Sequence, residues 1–482
     1  MRTFHLRSIP LVLALIAGGS VVSAEELLPA DRPLHEAVDH YIDQKLKLEG
    51  VTPAPAADDA NFIRRLTLDL VGRIPTAAET RAYVDSKDAD KRVQLVERLM
   101  ASTGYVRHQA GELDTMLMYG LRSSVRDYLL QAVGENRSWD RMFREIVLPD
   151  ESDAKQKVAS EFVRQRISDL DRLTNDVSVV FFGVNVSCAQ CHDHPRVNDW
   201  KQDNFFGMKA FFNRTFDNGG FLGEREYGVV KFRTTDGKER QAQLMFLTGK
   251  TADAPMTKEP NAEEQKQEKA RLETAKKNKT PPPAPAFSAR AQLVDLALQP
   301  GQRDFFARSI VNRTWHRLLG HGLVMPLDQM HSENPPSHPE LLEWLARDTA
   351  DHGYDLRRLV RGLVLSKAYA RSSRWESGEP PVAKLFAVGA VRPLTPNQLA
   401  ASLKMATSAP GSMPPLDKTA DFEKRIEGME ASARGFASSI EQPRDNFQIG
   451  VGEALLFSNS ACSWCRPSAG DSAPNWDGPP PR

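Results

Sequence analysis

"DKRVQLVERLM", residues 90–100, sets Val93, Leu95, Val96, Leu99 and Met100 on one broad apolar stripe of an α-helix, with charged residues interleaved. Just upstream, "TAAE" (Thr76 to Glu79) has the form of a capping box, a hydroxyl start followed three residues later by a carboxylate. "SWDRMFREIVL" (138–148) and "SDLDRLTNDVSVVFFG" (168–183) continue the style, the second ending near Phe182-Gly183. Beyond residue 300, "RDFFARSIVNRTWHRLLGHGLV" carries Phe306, Ile310 and Leu318 at multiples of four. "SHPELLEWLARDTADHG" opens with a second capping-box pattern, Ser337 to Glu340, and Asp355 is placed to cap "LRRLVRGLVLSKAY". The fold class that follows is mainly α.

Two stretches break the helical texture. "YGVVKFRTTDGKERQAQLMFLTG" (227–249) flanks Asp236-Gly237 with β-branched and aromatic residues, a hairpin signal. "KEPNAEEQKQEKARLETAKKNKTPPPAPA" (258–286) is a charged run closed by prolines, which predicts a solvated helix and a stiff linker. The expected organisation is two helical domains, 33–220 and 289–457, separated by a small β-hairpin insertion (221–250) and a charged, Pro-rich linker (251–288).

The N-terminus, "MRTFHLRSIPLVLALIAGGSVVSAEE", has the positive, apolar and small-residue regions of a signal peptide over 1–24. Export to the periplasm or medium is expected, with no transmembrane segment after cleavage, since no other stretch reaches about 18 apolar residues. Lys plus Arg and Asp plus Glu both number 63, a balance that argues against a nucleic-acid partner. Ser-His-Asp order, a phosphate-cradling glycine loop and H-E-x-x-H are absent from the sequence, so hydrolytic or nucleotide chemistry has no independent sign.

Chemistry concentrates in "VSCAQCHDHP", residues 186–195, in a chain with only four cysteines and eleven histidines. C-x-x-C-H is the pattern of covalent haem attachment: two thiols on one short loop add across the two vinyl groups, and the adjacent imidazole reaches the iron. Cys188 and Cys191 are the candidate anchors of haem c and His192 the candidate iron ligand. A mononuclear zinc, copper or iron site is the alternative, with His194 as a further ligand. A disulfide between Cys188 and Cys191 is the third. A ligand for the opposite face of the iron would come from Met208, Met245, Met256, His316, His321, Met325, Met330, His331 or His338, among which the sequence does not choose. Trp200, Phe205, Met208 and Phe212 form an aromatic stripe beside the motif, to be read as core or as the wall of an apolar pocket. Asp114, a lone acid in "ELDTMLMYG", is expected to pair with an arginine.

"NFIRRLTLDLVGRIPTAAE" and "CAQCHDHPRVNDWKQDNFFGMKAFFNRT" resemble the planctomycete cytochrome-like domain of unknown function. "FARSIVNRTWHRLLGHGLVMPLDQMHSENPPSHPELLEWLA" with "DLRRLVRGLVLSKAYARSS" resembles the planctomycete-specific domain that follows it. The resemblance covers about residues 35 to 457. It implies an exported protein and carries Cys188, Cys191 and His192 over as a haem-type motif, with His194 part of the same string. A partner in an extracytoplasmic redox chain is expected, and a polysaccharide context is suggested by the carbohydrate-binding modules that the family's relatives carry. The role implied is electron transfer or oxidation of an extracytoplasmic substrate. The rivals are a non-haem metal protein and a structural or surface-interaction protein with a disulfide. The end, "ACSWCRPSAGDSAPNWDGPPPR", does not resemble the family's continuation. Residues 458–482 are expected to be a disordered tail, from a shifted reading frame or a truncation, so that Cys462 and Cys465 carry no weight.

Overall fold

The computed structural model describes residues 27–193, 197–255, 258–376, 378–409 and 411–440. The expected signal peptide, His194, Met256 and the tail with Cys462 and Cys465 lie outside them. The described chain is mainly helical, with three two-stranded antiparallel ladders between its helical halves.

The helices begin and end where local chemistry predicts. The helix Asp59–Val71 starts at Asp58, whose carboxylate accepts from the Asn61 N–H at 2.8 Å, and stops at Gly72 in the left-handed conformation. Thr76 and Glu79 form the full capping box of the helix Ala77–Asp85. Buried Arg73 adds a two-pronged ion pair to Glu79, at 2.8 and 3.0 Å. In the helix Lys91–Ala101 the side chains of Leu95, Val96, Leu99 and Met100 are buried, but Val93, at the edge of the stripe, is left exposed. Asp355 caps the helix Leu356–Leu365 through the Arg357 and Arg358 N–H groups.

Two local expectations are corrected. The helix Pro339–Asp351 begins after His338 with no side-chain cap, because the Ser337 hydroxyl lies 3.1 Å from Nδ1 of the neighbouring His338. Asp114 feels the charge of Arg126, but among the described residues it hydrogen-bonds no arginine. Its carboxylate accepts from the Val125 N–H at 2.7 Å and the Ser124 hydroxyl at 2.8 Å, capping the helix Arg126–Gly134 from a distance.

The predicted hairpin forms, with Lys231–Arg233 antiparallel to Glu239–Gln241 across Asp236-Gly237. Phe232 stacks on Phe206 at 4.2 Å, which fastens the hairpin to the helix Gln202–Ala210. The charged run folds as the helix Ala262–Asn278, exposed except for half-buried Glu268 and Leu272 and buried Ala275. It is docked all the same: Tyr227 donates to Glu268 at 2.6 Å, and the Asn218 amide donates to the Leu272 carbonyl at 3.0 Å.

The charged segment divides the sequence but not the core. One continuous apolar cluster runs from Leu34 to Ala387, with Trp139, Phe143, Phe181, Phe182 and Phe306 at its aromatic centre. The helix Leu170–Phe182 packs on Asp304–Leu319, and Leu34–Leu48 packs on Pro339–Asp351 and Leu356–Leu365. Polar ties cross the same boundary. Buried Asp69 accepts two bonds from Arg392, at 2.9 and 2.7 Å, and one from the Tyr369 hydroxyl at 2.8 Å. A smaller cluster of Met405, Phe422, Ile426 and Met429 joins the helices Pro396–Ala406 and Thr419–Ala437. Among the described residues no helix is long and apolar enough to cross a membrane.

Candidate functional site

The helix Leu170–Phe182 ends at Gly183, whose φ of +69° turns the chain sharply into the motif. Ser187–Gln190 then form one turn of 3₁₀-helix, followed by Cys191. Side chains three apart eclipse in a 3₁₀ turn, so Cys188 and Cys191 lie on the same side of it. Both thiols are exposed and unjoined, while Ala189 between them is buried and anchors the turn. The Gln190 amide donates to Asp171 at 2.8 Å and the Gln202 amide donates to the Cys191 carbonyl at 3.3 Å, so the turn is held from both flanks.

His192 is exposed, and its Nδ1 lies 2.7 Å from the Asp193 carbonyl. A carbonyl can only accept, so Nδ1 carries the proton and the lone pair sits on Nε2. That is the tautomer an imidazole needs to bind a metal, with its other nitrogen oriented by a main-chain acceptor. The donor set is thus two accessible sulfurs and one imidazole in the metal-binding tautomer. By its chemistry it fits thioether attachment of a haem, with the imidazole as the residue that would reach the iron.

The aromatic stripe is core: Trp200, Phe205, Met208 and Phe212 are all buried. Met208 is spent in that packing, and Met245 backs onto Gly207. His316 lines a cavity bordered by none of Cys188, Cys191 and His192. His338 is buried against Phe386, and burial together with Lys45 pushes its pKa down to about 4. Met330 and His331 are brought to the flank of the motif. Among the described residues no group of three or more His, Cys, Asp or Glu gathers in metal-holding geometry.

Local sequence carries no signal for what surrounds the loop. A segment from the second half, Leu327–Ser332, runs along it. Asn185 donates its backbone N–H to Asp328 at 2.8 Å and its side-chain amide to the Asp328 carboxylate at 3.0 Å. Val184 bridges Gln329, and beyond the motif Asp199 accepts from the Ser332 N–H and hydroxyl, both at 2.8 Å. The C-x-x-C-H loop is therefore clamped at both ends by one strap. In the sequence Met330 and His331 stand only as isolated candidates, because the pairing spans about 140 positions of chain.

Residues 37–217 match the family PSCyt2, a protein of unknown function (DUF1549), and residues 289–432 match PSD1, a protein of unknown function (DUF1553). No curated protein and no solved structure matches the chain. The motif lies in the first matched region and the strap in the second, so the chain carries a PSCyt2 match followed by a PSD1 match, in that order.

Proposed function

We propose that the protein is an exported, c-type-cytochrome-like protein that carries haem on Cys188 and Cys191, with His192 as an iron ligand. The observation that supports this is the 3₁₀ turn itself, with two unjoined, exposed thiols on one side and an adjacent histidine whose Nε2 meets no partner among the described residues. The short name of the matched family, PSCyt2, is in keeping with a cytochrome-like role.

Each thiol would add its S–H across one vinyl group, the sulfur bonding to carbon and the hydrogen going to the neighbouring carbon. The Asp193 carbonyl would hold His192 in the ligating tautomer and strengthen it as a donor. The strap Leu327–Ser332 would keep the loop from splaying. Haem held there would supply a one-electron couple, whose use is electron transfer with an extracytoplasmic partner or oxidation of an extracytoplasmic substrate.

The test is expression of the mature chain with a c-type haem maturation system, followed by the pyridine haemochrome spectrum and the mass of the denatured protein. Covalent haem that is reduced in both C188A and C191A is the expected result. Absence of covalent haem, while a control cytochrome matures normally, overturns it. The exposure of both thiols also suits a zinc, copper or iron ion, with His194 as a further ligand. Elemental analysis of the same sample decides for that reading if metal is present without porphyrin.

A further inference from the structure

A second site lies away from the motif, where the helices Thr103–Met118, Leu170–Phe182, Asp304–Leu319 and Leu356–Leu365 meet around a cavity of about 520 Å³. That size falls within the roughly 300–1,000 Å³ of small-molecule sites. Tyr105, Leu113, Met116, Val180, Ile310 and Val360 make most of its wall apolar, and it opens to solvent at exposed Thr115, Tyr119 and Asn136.

The polar lining carries more positive charge than the protein itself uses. Asp176 is committed to Arg166 at 2.6 Å, and Arg137 is committed to Glu135 and Glu145, each at 2.8 Å. That leaves Arg313, Arg317 and Arg357. Arg313 donates one bond to the neutral Val179 carbonyl, and the carboxylate that offsets its charge, Asp328, is shared with the Asn185 amide. The Nε atoms of Arg313 and Arg357 are sealed from water with no hydrogen-bond partner among the described residues. Arg357 lies over the Tyr105 ring at 5.2 Å, and Arg317 follows Arg313 one turn along the same helix. Glu112 is the acid that lines the hollow beside them. Burial holds the Glu112 carboxyl above its usual range, only partly opposed by Arg317. The neighbouring His108 is pushed down to about 3, first by burial and then by Arg317, so it is neutral near pH 7.

We propose that this cavity binds a small amphipathic anion, with a single carboxylate head on Arg313, Arg317 and Arg357 and an apolar body along Leu113, Met116, Val180 and Ile310. One end of the hollow supplies charge-assisted donors and the rest offers only apolar contact. A neutral apolar ligand would leave the donors unpaired, and a small inorganic anion would leave the walls uncovered.

The experiment is a fluorescence titration of the mature full chain with 8-anilinonaphthalene-1-sulfonate, an anionic aromatic probe, followed by displacement with decanoate or decanol. One saturable site is expected, displaced by decanoate and much more weakly by decanol. Arg317→Gln should weaken both the probe and decanoate about tenfold, the loss of one charge-assisted bond. Thr115→Trp, at the exposed mouth, should weaken them without disturbing the core. Thermal melts of both variants establish folding, and if R317Q does not fold the comparison rests on T115W. Multiple weak sites, displacement by decanol equal to that by decanoate, or unchanged affinity in the folded variants would overturn the proposal.

Discussion

Met330 donates its backbone N–H to the Gly183 carbonyl at 3.0 Å, and its sulfur sits where a Cβ on Gly183 would have to go. The glycine that turns the chain into the C-x-x-C-H loop is also the point where the second half of the molecule closes on it. A methyl group at Gly183 would place its carbon 2.9 Å from the Met330 sulfur and 3.3 Å from the Leu327 carbonyl.

Gly183→Ala is therefore expected to combine backbone strain at positive φ with displacement of the strap, at about 1–3 kcal/mol. Gly249 has a similar φ of +82° and nothing within 4 Å of its would-be Cβ, so Gly249→Ala isolates the backbone part. Urea unfolding should show the larger loss for Gly183→Ala, and amide exchange at Asn185 should accelerate. Equal losses in the two variants would mean that the strap does not press on the loop.

Glu79 is buried, bonded to Arg73 and closing the Thr76 cap, so Glu79→Gln should cost about 3–5 kcal/mol by leaving Arg73 without its counter-charge. Burial raises the Glu79 carboxyl, but Arg73 and the Thr76 N–H outweigh it and hold the group below its ordinary 4.5. The unfolded chain thus takes up this proton at a higher pH than the folded one. The contribution is complete above about pH 4.5 and is lost as pH falls through the lower, folded value. Urea midpoints of parent and variant measured against pH should converge below that point; a constant gap would refute the ion pair's role.

His338 behaves in the opposite chemical sense with the same direction in pH. Buried, and with no partner for its Nε2 among the described residues, it titrates at about 4, whereas an unfolded histidine titrates near 6.5. Acidification through that window protonates the unfolded chain first and favours it, so stability should fall between pH 6.5 and about 4. His338→Gln should flatten that part of the stability profile, read from urea midpoints at pH 7 and pH 5. An unaltered slope would place the titration on other groups.

Much of the architecture is legible in the chain alone. The apolar stripe of 90–100, the Thr76–Glu79 box, the Asp355 cap and the Asp236-Gly237 hairpin all depend on contacts within a few positions, where residue type and spacing dictate geometry directly. The same reasoning marks Cys188, Cys191 and His192, because their pattern is contiguous. Where local rules compete with a neighbour, they mislead: Ser337 turns to His338 instead of capping its helix, and Asp114 spends its hydrogen bonds on capping a helix while Arg126 meets it only through its charge.

By itself the sequence determined that the chain is mainly helical, where several helices are capped, and which short loop holds the thiols and imidazole. Only the tertiary structure decided that both halves share one core, that Leu327–Ser332 clamps the motif loop, and that Arg313, Arg317 and Arg357 converge on one hollow. Those features join residues far apart in the chain. They arise when apolar faces of separate helices bury one another, and no local periodicity records which faces meet.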